Sequence, residues 1–201
     1  MTSRIIKVAM VMAISTVAFT NCKKEQHPPV EAATEEELLT SAKHVEGIPD
    51  SLNVPAGNKL VGEGFARGVQ IYQVKRNATN PNIFSWVNIA PSATLYTKPD
   101  FTHVMAHHFA GPTWEFVKGH NQGQSVVGKK IAGITQDPSA IQWLLLQAVD
   151  SLSSNNNKIT YIQRIFTVGG LARTTGADEA HLGQLDSIPY RALYLFYEAK
   201  H

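Results

Sequence analysis

The sequence predicts an all-β fold, mainly antiparallel, built as a β-sandwich or a closed β-barrel with few short helices. Three observations carry this. From Val54 onward, β-branched and aromatic residues concentrate in short runs. Those runs are separated by Gly, Pro, Asn, Asp and Ser clusters that favour turns. Strand-like runs also follow one another without intervening helical periodicity, so nothing points to a parallel βαβ sheet. Taken in order, the predicted strands cover 68–75, 84–89, 94–97, 103–110, 113–117, 125–131, 141–148, 158–167 and 190–198. The breaks fall at residues 77–81, Pro99-Asp100, Gly111-Pro112, 119–123, Asp137-Pro138, 153–157 and Gly169-Gly170. In the last strand Tyr190, Ala192, Tyr194 and Phe196 share one face, and Arg191, Leu193, Leu195 and Tyr197 the other. Both faces are largely apolar, which predicts burial on both sides. In residues 159–168 Arg164 sits on the face of Ile162, Phe166 and Val168, so its guanidinium must reach an edge or find a partner. Residues 177–182 read as one helical turn in a loop.

The chain has 201 residues, 43% hydrophobic and 17% charged, which suits a globular domain with a real core. Its first residues read as an address. Arg4 and Lys7 precede an uncharged apolar stretch from Val8 to Phe19, too short for the roughly 20 residues a membrane span needs. Phe19-Thr20-Asn21-Cys22 ends the stretch, and Cys22 is the only cysteine. The pattern resembles a bacterial lipoprotein signal, with Cys22 acylated as the first mature residue. Lys23 after the cysteine favours the outer membrane. The predicted organisation is a signal peptide over 1–21, a lipidated N-terminus and flexible tether over 22–53, and a single β-rich domain over 54–201. A short helix over 34–45 is expected within the tether, with Thr34 as N-cap and Glu37 three residues on. Removing Arg4 and Lys7 from the 18 basic residues leaves 16 against 16 acidic ones. A near-neutral mature chain argues against a nucleic-acid partner.

Val54-Pro55-Ala56-Gly57-Asn58-Lys59-Leu60 is followed by Gly64-Phe65-Ala66-Arg67-Gly68-Val69-Gln70-Ile71-Tyr72. His108-Phe109-Ala110-Gly111-Pro112-Thr113-Trp114-Glu115, Val126-Val127-Gly128-Lys129 and Trp143-Leu144-Leu145-Leu146 come next. Ile162-Gln163-Arg164, Thr167-Val168-Gly169-Gly170 and Ile188-Pro189-Tyr190 complete the series. In this order the motifs resemble the bacterial and fungal family of domain of unknown function 3455, over Val54 to Tyr197. The resemblance implies a secreted or envelope β-protein and no established activity. It also implies that many members carry cysteine where this chain has Val74 and Ala177, so a bridge formed there in relatives is missing here and packing must replace it. The histidine match runs through His108; His103, His107 and His120 are particular to this chain.

The strip from His103 to Gly128 holds four of the eight histidines and one of the three tryptophans. On a strand His103 and His107 lie about 13 Å apart at roughly 3.3 Å per residue, too far to share a metal, and no metal site or cofactor is expected. Gly62-Glu63-Gly64-Phe65-Ala66-Arg67-Gly68 places its third glycine one position late for a dinucleotide fingerprint, and a strand follows it; the malate dehydrogenase label on some members of the family finds no support in it. The reading is therefore an envelope lipoprotein acting as a non-catalytic binding module for a small molecule, glycan or envelope partner. Its ligand site is expected at His108, Trp114 and Glu115 around the Gly111-Pro112 turn, joined by Gln163 and Arg164. The alternatives are a hydrolytic or proton-transfer enzyme using His108 and Glu115, with Arg164 as a third catalytic candidate, and a purely structural envelope protein.

Overall fold

A computed structural model describes residues 47–154 and 156–200. Eight strands account for most of them: β1 (Asn58–Arg76), β2 (Phe84–Tyr96), β3 (Val104–Phe109), β4 (Thr113–Phe116), β5 (Ser125–Ile134), β6 (Trp143–Ala148), β7 (Ile159–Gly169) and β8 (Leu185–Ala199). Each is antiparallel to the next, and β8 returns to pair with β1, so the sheet closes into a barrel. Of the two predicted architectures, the barrel is the one formed. Helical structure among the described residues is limited to the 3-10 turns Asp50–Leu52, Asp150–Leu152 and Glu179–His181; the last falls inside the turn expected over 177–182. The signal segment, Cys22 and the helix expected over 34–45 lie outside the described residues.

Nine strands were expected and eight form. Residues 84–89 and 94–97 belong to one strand, β2, which runs straight through Pro91 opposite Gln70. A bulge between Ile71 and Tyr72 accommodates the change of phase beside it. β1 starts at Asn58 rather than at Gly68, and its glycines disguised it as a loop. They face inward, where the wall comes too close for a side chain. A Cβ on Gly64 would lie 2.8 Å from Leu95 Cδ2, and one on Gly68 only 2.2 Å from the Ser92 carbonyl oxygen and 2.4 Å from Ala93 Cα. These small residues let β2 lean into the barrel and keep its bore narrow.

Alternation along β8 sorts the rest. Tyr190, Ala192, Tyr194 and Phe196 point into the barrel, where they join Ala66, Leu95, Trp114, Phe116, Val126 and Ile162 in one buried cluster. Leu193, Leu195 and Tyr197 point out, into a second cluster with Phe65, Trp143, Leu145 and Ile165. The second cluster is covered by the segment before β1. Leu52, assigned to the tether by sequence, is fully buried on it, with Ile48, Val54 and Phe101 packed around. Both faces of β8 are thus buried, as its two apolar faces predicted. Beside this cluster, the outer wall carries the cross-strand row Arg191, Arg67, Thr94, His107 and Glu115. A lipid-facing band excludes charges of this kind.

The close approach at Gly68 can be tested against Gly62, where an added Cβ would come nearest to the flexible tip of Met105 at 3.4 Å and to Phe196 at an ordinary 3.9 Å. Gly68→Ala should lower stability by about 1–3 kcal/mol, the usual range for overpacking, and Gly62→Ala by clearly less. Chemical denaturation of both variants measures the difference; equal effects would refute the account of β1.

Candidate functional site

The barrel interior is divided along its axis. Toward the end that carries the loops 117–124, 149–158 and 97–103 it is lined mainly by the apolar Met105, Phe116, Val126, Ile159 and Phe196, with Asn121, Gln124 and Glu198 also buried at this end. Toward the opposite end it becomes polar. Strand register explains why: His108 lies across from Ala93 and Trp114, and Arg164 across from Leu144 and Tyr194. Directly opposed residues share a face of the sheet, so His108, Trp114, Arg164 and Tyr194 all turn inward.

There the His108 ring lies flat on the Trp114 indole, with centroids 4.2 Å apart and planes inclined by 7°. Tyr194 meets both rings edge-on at 5.4 Å. His108 Nδ1 is 2.9 Å from the Thr113 carbonyl oxygen. That oxygen only accepts, so Nδ1 carries the proton and Nε2 is left as an acceptor. Burial pushes the His108 pKa down to about 4; the bond to the Thr113 carbonyl opposes the shift, and the positive charge of Arg164 adds to it. His108 is therefore neutral at physiological pH. Tyr190 and Tyr194 bring their hydroxyls within 3.4 Å of each other, and burial, then the neighbouring Tyr194, holds the Tyr190 hydroxyl well above its ordinary pKa. Arg164 finds the partner its position demanded: Nε and Nη2 both donate to the Gln142 carbonyl oxygen, at 3.1 and 2.9 Å. It remains partly exposed at the mouth.

One buried donor in this end of the barrel, Trp114 Nε1, has no acceptor among the described residues. Trp114 is 1% exposed. The Gln70 amide in the same end is engaged on both sides: its carbonyl accepts from Asn88 Nδ2 at 3.0 Å and its side chain hydrogen-bonds the Tyr190 hydroxyl. A buried donor left without an acceptor costs about 1–3 kcal/mol, so the Trp114 N–H asks for an explanation. Ile141 and Gly170 pack over Gln70 and Tyr190, and the Tyr72 hydroxyl donates to the Gly170 carbonyl at 2.6 Å. The loop 170–184 is strapped to the same rim. Trp86 Nε1 donates to the Thr175 carbonyl at 2.9 Å, Arg76 pairs with Glu179 at 2.8 Å, and Val74 exchanges backbone hydrogen bonds with residues 183 and 184.

Of the residues picked from sequence, His108, Trp114 and Arg164 converge here. Glu115 does not. It is exposed on the outer wall opposite His107, because a one-residue step along a strand reverses the face. The expected pairing of His108 with Glu115 across the hairpin is therefore corrected: the two side chains lie on opposite sides of the barrel wall. Gln163 is also on the outside. It ties the segment before β1 in place, with Nε2 donating to the Leu52 carbonyl at 2.7 Å and Oε1 accepting from the Tyr197 hydroxyl at 2.6 Å. Tyr197 has its pKa raised to about 12, by burial first and then by the negative charge of Glu63. His103 stands outside β3 at a φ of 61° rather than starting a strand, and Met105 packs inside. His120 lies at the other end of the barrel, its Nε2 3.3 Å from Glu198 Oε1. Sequence reading missed Gln70, Asn88 and Tyr72, whose inward phase depends on the glycine spacing of β1 and on the bulge opposite β2.

The neutral His108 gives a pH prediction. Its folded pKa of about 4 lies below the unfolded value of 6.5, so the unfolded chain binds the extra proton first as pH falls. The stability contribution is complete above pH 6.5, is lost as pH drops from 6.5 to about 4, and changes no further below that. Urea denaturation across this window should show a steeper loss for the parent than for His108→Phe; matching slopes would contradict a buried neutral imidazole.

The family model described as a protein of unknown function, DUF3455, matches residues 55–198, the span of the whole barrel. Comparison with curated proteins and with solved structures gives no match. The barrel, with the interior site it encloses, thus coincides with the matched region, and the chain belongs to the DUF3455 family.

Proposed function

We propose that this domain is a non-catalytic binding module whose ligand is a small molecule seated at the polar end of the barrel. The observation that carries the reading is the buried, unpartnered donor Trp114 Nε1, in the end of the barrel where Arg164 reaches the mouth. A ligand bearing an acceptor oxygen supplies what this group lacks, and the stacked rings of His108 and Trp114 give its apolar part a rigid wall. Acid–base catalysis by His108 is not favoured. The imidazole is held neutral, and Glu115, its sequence-expected carboxylate partner, faces the other way. The test is a thermal-shift screen of the full chain against small carboxylic acids, phenols and sugars. A ligand that raises the melting temperature of the parent should leave Trp114→Phe and Arg164→Gln unmoved. A shift that survives both substitutions, or a screen in which no compound raises the melting temperature, overturns the reading.

The second part of the proposal is the setting. The apolar stretch ending at Cys22 supports a lipid anchor in the outer membrane, from which residues 23–46 carry the barrel. Cys22→Ala should move the protein from the membrane to the soluble fraction, read by fractionation and by loss of acyl mass; retention in the membrane contradicts the anchor.

A further inference from the structure

A second site lies on the outside of the barrel and does not depend on the interior one. Arg67 of β1 and Arg191 of β8 stand directly opposite each other in the strand register. Like charges in directly opposed positions repel, and sheets normally avoid the arrangement. Neither arginine has an ion pair or a hydrogen-bond acceptor for its guanidinium among the described residues. The Arg67 guanidinium carbon instead lies 5.3 Å from the centre of the Phe101 ring, a cation–π contact that orients the charge without neutralising it.

The two arginines form the floor of an open cleft of about 600 Å³, with Asp100 and Phe101 on one bank and Val168 and Pro189 on the other. Both banks are strained. The non-glycine residues with positive φ among the described residues are Phe101 at 57°, His103 at 61° and Phe166 at 47°. The first two shape the loop 97–103. The third belongs to the bulge of β7 between Ile165 and Val168. Strain of this kind costs on the order of 1–3 kcal/mol at each residue and collects where a local shape is used. Asp100 is held by the Thr102 N–H and hydroxyl, at 3.0 and 2.7 Å, with its carboxyl kept below the usual pKa by those bonds.

We propose that this cleft binds a single phosphate-type oxyanion between Arg67 and Arg191. A carboxylate is satisfied by one guanidinium fork, whereas two forks facing one another across about 5 Å of sheet match a tetrahedral dianion from two sides. Binding removes the repulsion between the arginines. Asp100 on the rim disfavours further negative charge, so the cleft takes one phosphoryl group and not a polyanion, in keeping with a near-neutral chain.

The experiment follows the Nε–H resonances of Arg67 and Arg191 in the full chain while inorganic phosphate or glycerol 3-phosphate is added. A parallel arm measures flotation of the Cys22→Ala chain with phosphatidylcholine vesicles, plain or doped with phosphatidic acid. The expected result is a saturable shift of both resonances, weakened about tenfold or more in Arg67→Gln and in Arg191→Gln. Asp100→Asn, an exposed loop change that leaves both arginines in place, should tighten binding. Shifts with the soluble phosphates assign a free phosphorylated compound; flotation only with doped vesicles assigns a lipid headgroup. No response to either probe, an unchanged response in both arginine variants, or an Asp100→Asn chain that binds no better overturns the proposal.

Discussion

Closure of the barrel rests on one strand being paired along both edges. β1 is hydrogen-bonded to β2 over residues 65–76 and to β8 over residues 58–73, with a bulge in each ladder. A strand that carries two partners through so long a stretch has no free edge, and the hazard of edge-to-edge association disappears with it. The geometry demands small residues on the inner face. Gly64, Ala66 and Gly68 let the β2 side chains Leu95 and Ala93 enter the bore. The large side chains then come from the neighbouring strand β8 and from β4, where Trp114, Phe116, Tyr194 and Phe196 interlock edge to face. Small residues on β1 beside aromatic ones on β4 and β8 fill a bore that uniform side chains would leave either void or overpacked.

That division explains how much of the fold could be read from sequence. Six strands, β3 to β8, were placed near their true positions because β-branched and aromatic residues marked them. β8 was read correctly on both faces, since Tyr190 to Tyr197 alternate without interruption. The first half of β1 was missed because the feature that makes it essential, its inner row of glycines, is the same feature that signals a loop. β2 was likewise split into 84–89 and 94–97, although its ladder to β1 continues through the bulge at Ile89. Leu52 gave no warning at all. A single leucine in a polar segment carries no period, and its burial follows only from the apolar outer face that β6, β7 and β8 leave to be covered.

The site was legible in part for a related reason. His108 and Trp114 are two residues out from the corners of a tight hairpin, so their facing each other follows from counting. Glu115 is excluded by the same count, one step out of phase. Arg164 announced itself as a charge on an apolar face. What sequence could not show is that the three strands bearing these residues meet across the bore, because that depends on the barrel's closure and stagger. The polar end then has a consistent character: a neutral imidazole, a stacked indole, two tyrosines and one guanidinium. Such a set suits the proposed binding by shape and hydrogen bonding. The cleft on the outside is different in kind, since its two arginines offer charge and little enclosure.

The account turns on the Trp114 indole N–H being buried and without an acceptor in the unliganded barrel. A ¹⁵N-resolved NMR spectrum of the full chain, with the three tryptophan side chains assigned by substitution, tests this. The account predicts that the Trp114 signal lies at the field position of a donor that is not hydrogen-bonded, away from that of Trp86, which donates to the Thr175 carbonyl, and exchanges slowly with solvent. A Trp114 signal already at a hydrogen-bonded position in the unliganded protein would contradict it, because the polar end of the barrel would then hold no unfilled donor for a ligand to satisfy.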